Sequence, residues 1–297
     1  MKKNIIKKSV YAVSLIGIGI LFSQFASTDN NRGVDVKNHV FLNKNLHFSN
    51  ETVPVHITDV KERLDREMIV NINFHSNTTL VIKRANRYFP VIEPILKKNG
   101  IPDDFKYLCV IESSLSNVTS PAGAKGFWQF MPATATEYGL EVSDTVDERY
   151  HLIKATEAAC VYFNKAYERS GNWTLVAAAF NRGTTGIQRQ LDLQMVNNYY
   201  DLFINQETSR YVFRILALKE IMSDPAKYGF NIPKDARYPI IKTKKIRVTE
   251  NIDNLYQFAK DQGINYKLLK LHNPWLQSDK LEVTMGKTYE IEIPEKP

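Results

Sequence analysis

Apolar residues recur at helical spacing from Ile57 to about Ile72, with Val60, Leu64 and Met68 four apart. That period predicts an amphipathic helix. Asn77-Thr78-Thr79 reads as the break after it. A second helical stretch runs from about Leu80 to Asn99. Pro90 and Pro94 lie inside it and are expected to kink or divide it, since proline lacks the amide donor and crowds the preceding turn. Gly100 suits the left-handed stop that follows a helix. Pro102 then opens the next helix, with Asp103 and Asp104 in a first turn where carboxylates complement the helix dipole. Further helices are predicted over 151–169, 172–181 and 207–222, with a loop-rich stretch at 117–150. After Pro233 the pattern changes. Ile241 to Val248 alternates basic and apolar residues like a strand, two short helices follow at about 253–262 and 265–271, and Tyr289 to Ile293 alternates again. The fold class expected is mainly α, followed by a small α+β module of βααβ order.

The chain has 297 residues, enough for one substantial core and smaller satellites. Its formal charge of +7 is uneven, because Lys2, Lys3, Lys7 and Lys8 supply four of those charges. The mild remainder lacks the concentrated basic face that nucleic acid needs. It leaves room for a modest attraction to an anionic polymer. Those lysines precede an apolar run from Val10 to about Phe25 and then small residues. A basic start, a short apolar core and small residues read as a secretory signal over 1–27. An uncleaved N-terminal anchor is the competing reading, since the run is near the lower limit for a spanning helix. Residues 28 to about 55 are polar and read as a linker, within an N-terminal extension (28–79) that carries one helix. Cys109 and Cys160 are the only cysteines. Two small buried hydrophobes are expected, with a single disulfide as the alternative.

Four elements carry candidate chemistry. Phe105, Leu108, Cys109 and Glu112 share one helix face, three of them apolar and the fourth an acid. A carboxyl on a buried face is expensive when ionised, so burial raises its pKa. A carboxyl still protonated near neutral pH can serve as a general acid. The bland alternative is a glutamate at a fraying helix end, reaching water or an arginine. Gly123-Ala124-Lys125-Gly126-Phe127-Trp128-Gln129-Phe130-Met131-Pro132 combines flexible glycines with aromatic rings and an amide. Rings suit pyranose faces and amides suit hydroxyl and acetamido groups; core packing is the alternative for Trp128 and Phe130. Ala177-Ala178-Ala179-Phe180-Asn181 would let helices approach closely, and Asn181 is either a site residue or an ordinary helix terminator. In Glu207-Thr208-Ser209-Arg210-Tyr211-Val212, the Tyr211 hydroxyl could hold a carboxylate or a sugar, or simply be half-buried.

In order, these elements resemble the motifs of the family 1 lytic transglycosylases: Glu112-Ser113, then Gly126 to Pro132, then Ala179-Phe180-Asn181, then Tyr211 in a late helix. The resemblance covers roughly residues 57–222. Phe180 stands where the family usually has tyrosine, so a hydroxyl is lost while the ring remains. No cysteine follows the N-terminal apolar run, so a lipoprotein anchor is not expected. The tail 242–294 resembles a degenerate LysM module on Leu255, Phe258, Ala259, Gly263, Leu268, Asn273-Pro274, Leu281, Gly286 and Ile293. Its entry loop Glu250–Asn254 departs from the usual Gly-Asp-Thr, which favours the fold over glycan binding.

The resemblance implies a lysozyme-like transglycosylase domain at 80–235 and a LysM-like domain at 242–297. It implies a lyase that cuts the bond between N-acetylmuramic acid and N-acetylglucosamine in peptidoglycan, with Glu112 as sole acid and base. It places Ser113, Gln129, Phe130, Met131, Phe180, Asn181 and Tyr211 at the substrate. Glu137, Glu141, Asp144, Asp147 and Glu148 read as surface or structural carboxylates. Two other readings stay open: a lysozyme-type hydrolase of the same fold, and a wall-binding protein with an idle site. The six histidines lack ligand spacing and no phosphate-cradling glycine loop appears, so neither metal nor cofactor is expected. The expected partner is the glycan strand, for a monomer exported to the periplasm or cell envelope, with membrane association through its N-terminal segment as the alternative to a free form.

Overall fold

A computed structural model describes residues 45–295. The segment read as a signal or anchor, and the polar stretch up to residue 44, lie outside the described residues. A short hairpin, β1 (His47–Phe48) and β2 (Glu51–Thr52), leads into α1 (Thr58–Asn73). The break after α1 falls at Phe74 and not at residues 77–79, which lie inside α2 (His75–Lys98). Thr78 explains the difference: fully buried, it donates its Oγ1 to Asn71 O at 2.7 Å, so it is satisfied inside a helix.

The prolines do not divide α2. Pro90 and Pro94 lie on its exposed face, while Val81, Ile82, Ala85, Ile92 and Leu96 line the buried one. A carbonyl that loses its amide partner on the exposed side can take water instead, so the helix runs on. Gly100, at φ +70°, follows the helix end in the left-handed conformation its sequence suggested.

Pro102 caps a 3₁₀ turn, Asp103–Phe105, that feeds α3 (Lys106–Ser113). The stretch between residues 114 and 151 is mostly loop, with one short α-helix, α4 (Pro132–Glu137), started by Pro132 at its first position, and a 3₁₀ turn at Glu148–Tyr150. Then come α5 (Leu152–Ser170), α6 (Trp173–Arg182), α7 (Thr184–Gln194) and α8 (Gln206–Ser223). Of these, only α7 had no forecast. Its buried side chains are Ile187 and Leu191 alone, too sparse a pattern to register as a period.

The residues ahead of position 80 are not peripheral. Leu46, Phe48, Val53 and the α1 face Val60, Leu64, Met68 and Ile72 belong to the same core as the helices up to Phe230. Helix α1 lies along α8. The buried Glu67 accepts from Arg210 Nε at 2.6 Å and from Arg66 at 2.9 Å. Glu51 reaches across to cap α6, accepting from the Trp173 and Thr174 amides at 2.6 and 2.9 Å and from the Thr174 hydroxyl at 2.6 Å.

The C-terminal module pairs β3 (Thr243–Val248) antiparallel with β4 (Tyr289–Pro294), with α9 (Leu255–Asp261) and α10 (Tyr266–His272) between them. Asn254 and Asn265 cap the two helices, accepting from Gln257 N and Leu268 N at 2.9 Å each. The βααβ order expected from the alternating segments is therefore present. Cys109 and Cys160 are both buried and free. Among the described residues no helix is long and apolar enough to cross a membrane.

Candidate active site

Helix α3 is short and almost wholly buried, from Tyr107 through Ile111 and again at Ser113. It ends because Ser114 and Leu115 adopt left-handed conformations, φ 51° and 54°. Glu112 thus sits in the last turn, at the edge of the core, and its side chain enters a cleft of about 500 Å³. Gln129, Phe130, Met131, Phe180, Asn181, Tyr162 and Glu207 share that cleft.

The Tyr211 hydroxyl, buried on α8, donates to Glu112 Oε1 at 2.5 Å. Burial pushes the Glu112 carboxyl up to about 7. The Tyr211 hydrogen bond and the positive charge of Arg214 pull it back, and the Glu207 charge reinforces the rise. Arg214 also donates to Ile111 O at 3.2 Å, tying α8 to the end of α3.

The glycine-rich segment forms one wall. Lys125 N donates to Phe130 O at 3.1 Å and Gly126 N to Val118 O at 3.0 Å, folding the loop back on itself. Gly126 is required twice over. Its φ is +78°, and a Cβ there would lie 1.8 Å from Arg149 O. Gln129 adopts φ 51° and its Nε2 donates to Gly126 O at 2.7 Å and Val118 O at 3.1 Å, so this amide braces its own loop. Met131 stands 43% exposed at the cleft mouth.

Aromatic rings make the floor. Phe130 and Phe180 meet edge-on at 5.8 Å, and Phe180 meets Tyr162 at 5.2 Å. Trp128 lies beneath them, fully buried, its Nε1 donating to Thr156 Oγ1 at 2.9 Å; it is core. Asn181 is the next-to-last residue of α6 and is held from both sides. Thr208 Oγ1 donates to its Oδ1 at 2.8 Å, and its Nδ2 donates to Glu207 Oε1 at 3.0 Å.

Ser113 is not brought to the cleft. It is buried, and its hydroxyl donates back to Cys109 O at 3.0 Å inside the helix. Several cleft residues had no assigned place in the site from sequence, among them Tyr162 and Glu207. Tyr162 sits on the apolar face of α5 with nothing to distinguish it from packing. Glu207 carried a signal in its place four residues before Tyr211, one helical turn away on the same face. The acids of the 137–148 stretch are absent from the cleft lining. Asp147 is paired with Arg149 at 2.7 Å, Glu148 with Lys154, and Glu141 with Lys287 at 2.8 Å.

Two segments of the chain match known families. Residues 89–203 match the transglycosylase SLT domain, and residues 244–297 match the soluble lytic transglycosylase C-terminal LysM-like domain. The membrane-bound lytic murein transglycosylase D of Escherichia coli K12 is 27% identical over 224 residues, 73% of this chain and 48% of that protein. A putative tributyltin chloride resistance protein of an Alteromonas species is 29% identical over 110 residues, 36% of this chain and 53% of that one. The chain thus spans about half the length of the curated relatives it matches. A solved inactive mutant of the lytic transglycosylase Slt from Pseudomonas aeruginosa aligns with 52% of this chain and 26% of its own, at 17% identity and a TM-score of 0.37.

Proposed function

Taking the chain as a lytic transglycosylase relative, with an SLT domain and a LysM-like domain behind it, we propose that it cuts peptidoglycan glycan strands without consuming water. The observation that carries this reading is Glu112: a carboxyl raised to about 7, hydrogen-bonded to Tyr211, at the head of a cleft floored with aromatic rings.

Glu112 would give its proton to the oxygen between N-acetylmuramic acid and N-acetylglucosamine as that bond breaks. Left as a carboxylate, it would take the proton of the muramoyl 6-hydroxyl while that oxygen closes on the anomeric carbon. The product end is a 1,6-anhydro ring, and the proton account returns to its start. The substrate's own N-acetyl group would stand in for a protein nucleophile. Tyr211 has a role at the middle stage: its O–H already points at Oε1 and would stabilise the anion that exists between the two transfers. Gln129, Phe130, Met131, Phe180 and Asn181 would contact the sugars. Asn181 would do so with an amide whose orientation is fixed by Glu207 and Thr208. The enzyme would work in the cell envelope, where its substrate lies.

One observation favours a second reading. Glu207 lines the same cleft, and a second carboxylate could direct water to the anomeric carbon, as in a lysozyme-type hydrolase. Mass spectrometry of sacculi digested by the full chain separates the two. Anhydro-muramoyl ends are expected; reducing ends throughout would replace the lyase reading by the hydrolytic one. No soluble fragments at all would overturn both. Glu207→Gln keeps an acceptor for Asn181 and is expected to retain anhydro product.

A further inference from the structure

The loop between α4 and α5 touches both the C-terminal module and the cleft wall. On the module side, Val146 is fully buried in the module's own core, beside Trp275, Leu276 and Tyr289. Asp147 N donates to Trp275 O at 2.8 Å and Gln277 N to Thr145 O at 2.8 Å, a two-bond ladder across the junction. Glu141 adds an acceptor for Lys287 Nζ at 2.8 Å and the Tyr289 hydroxyl at 2.7 Å.

On the cleft side the same loop ends in Arg149, 3% exposed. Its guanidinium forks onto Asp147, with Nε to Oδ1 at 2.8 Å and Nη2 to Oδ2 at 2.7 Å. Its remaining donor, Nη1, reaches Gly123 O at 3.1 Å and Phe130 O at 3.3 Å, the two ends of the cleft segment. Lys125 Nζ joins from inside that segment, 3.2 Å from Asp147 Oδ2. The close seat of Gly126 against Arg149 O completes the contact.

We infer that the C-terminal module serves the cleft as a clamp: docked on residues 141–147, it sets Asp147, and through it the positioning residue Arg149, which fixes the Gly123–Phe130 wall. The function of the module is then mechanical, whether or not it also meets glycan. Planar, bidentate geometry makes arginine hard to replace here, because lysine cannot hold a carboxylate fork and two carbonyls at once. The inference rests on the transglycosylase reading only for its effect on rate; the mechanical link stands apart from it.

The test uses the full chain, with hydrogen exchange read at the Lys125 and Gly126 amides in the absence of glycan. Glu141→Ala, which removes the acceptor shared by Lys287 and Tyr289, touches neither amide and no cleft residue, yet it should loosen the docked module. An exchange rate at these amides raised on the order of tenfold is expected, the equivalent of about one hydrogen bond's net worth. Unchanged exchange there, with the contacts to Lys287 and Tyr289 lost, would overturn the clamp. Arg149→Lys is the second arm, read by its pH–rate profile. A loosened wall admits water to Glu112, whose other charged and titratable neighbours are Tyr211, Arg214 and Glu207 on α8 and Cys109 on its own helix. The alkaline limb should therefore move to lower pH, whereas a mere loss of folded protein scales the profile without moving it. A profile scaled but unmoved would remove Arg149 from the positioning role. If Arg149→Lys fails to fold, the Glu141→Ala arm decides alone. Failure of the transglycosylase reading would appear separately, as no fragment release by the unaltered chain.

Discussion

Glu112 has a carboxyl whose folded-state pKa, about 7, lies above the ordinary 4.5. Folding favours its protonated form, so its contribution to stability is most favourable below pH 4.5 and is lost as pH rises through 7. Glu112→Gln, which stays neutral, should therefore melt higher than the unaltered protein at pH 8. The gain has an upper limit of about 3 kcal/mol and should vanish near pH 4, as calorimetry at the two pH values would read. A variant less stable than the parent at pH 8 would contradict the burial argument. The same substitution should abolish strand cleavage. Tyr211→Phe removes a hydrogen bond that favours the carboxylate, so the alkaline limb of the pH–rate profile should move to higher pH. Turnover should drop by roughly tenfold to a hundredfold as the anionic stage loses its donor.

At this scale the sequence was legible where an element's periodicity crossed its chemistry. An acid at the fourth position of an apolar face, just before serines that end the helix, made Glu112 a candidate, and the resemblance of the four motifs together singled it out. Ser113 misled, because adjacency in a motif says nothing of direction: in a helix the next residue points about 100° away, here into the core. Tyr162 was invisible because a core tyrosine and a cleft tyrosine have the same spacing on a helix.

Among the elements, the boundaries of α5, α6, α8 and the module's strands lay within a residue or two of their sequence signals, since caps and periods agree there. Helix α2 is not divided at its prolines because proline is costly only where the lost bond cannot be replaced, and exposure is not written in the local sequence. Glu51 could not be assigned either, as its three bonds to the start of α6 span more than a hundred residues of chain. Removing that cap by Glu51→Ala should cost about 1–2 kcal/mol, seen as a lower urea midpoint with an unchanged slope. Because α6 presents Phe180 and Asn181, the variant should also weaken activity more than its stability loss alone accounts for. Gly126→Ala is expected to be harsher. A Cβ at 1.8 Å from a backbone oxygen forces the wall or the Arg149 loop to move, and cleavage should be lost even where the protein folds. Near-normal cleavage by this variant would show that the wall's position is unimportant.

For the whole molecule, the division into a helical domain and a βααβ module was readable from a change in period near Pro233. Their junction was not, because it is made by backbone bonds and by Val146, an isolated apolar residue in a polar loop. Nor did sequence reveal that α1 and the β1–β2 hairpin complete the domain core. With Val146 in the module's core, the two parts should unfold together. Val146→Asp places a charge in that core and should split the single thermal transition into two, the lower belonging to the module. One undivided transition in that variant would argue that the junction carries no cooperativity.

Strand cleavage as proposed depends on the protonation state of one side chain, Glu112, in its resting cleft. Carbon-13 NMR of the glutamate carboxyls in the full chain, with Glu112→Gln identifying the signal, measures it directly. A midpoint near pH 7 is the expected result; a midpoint in the usual carboxylate range, near 4.5, would contradict it.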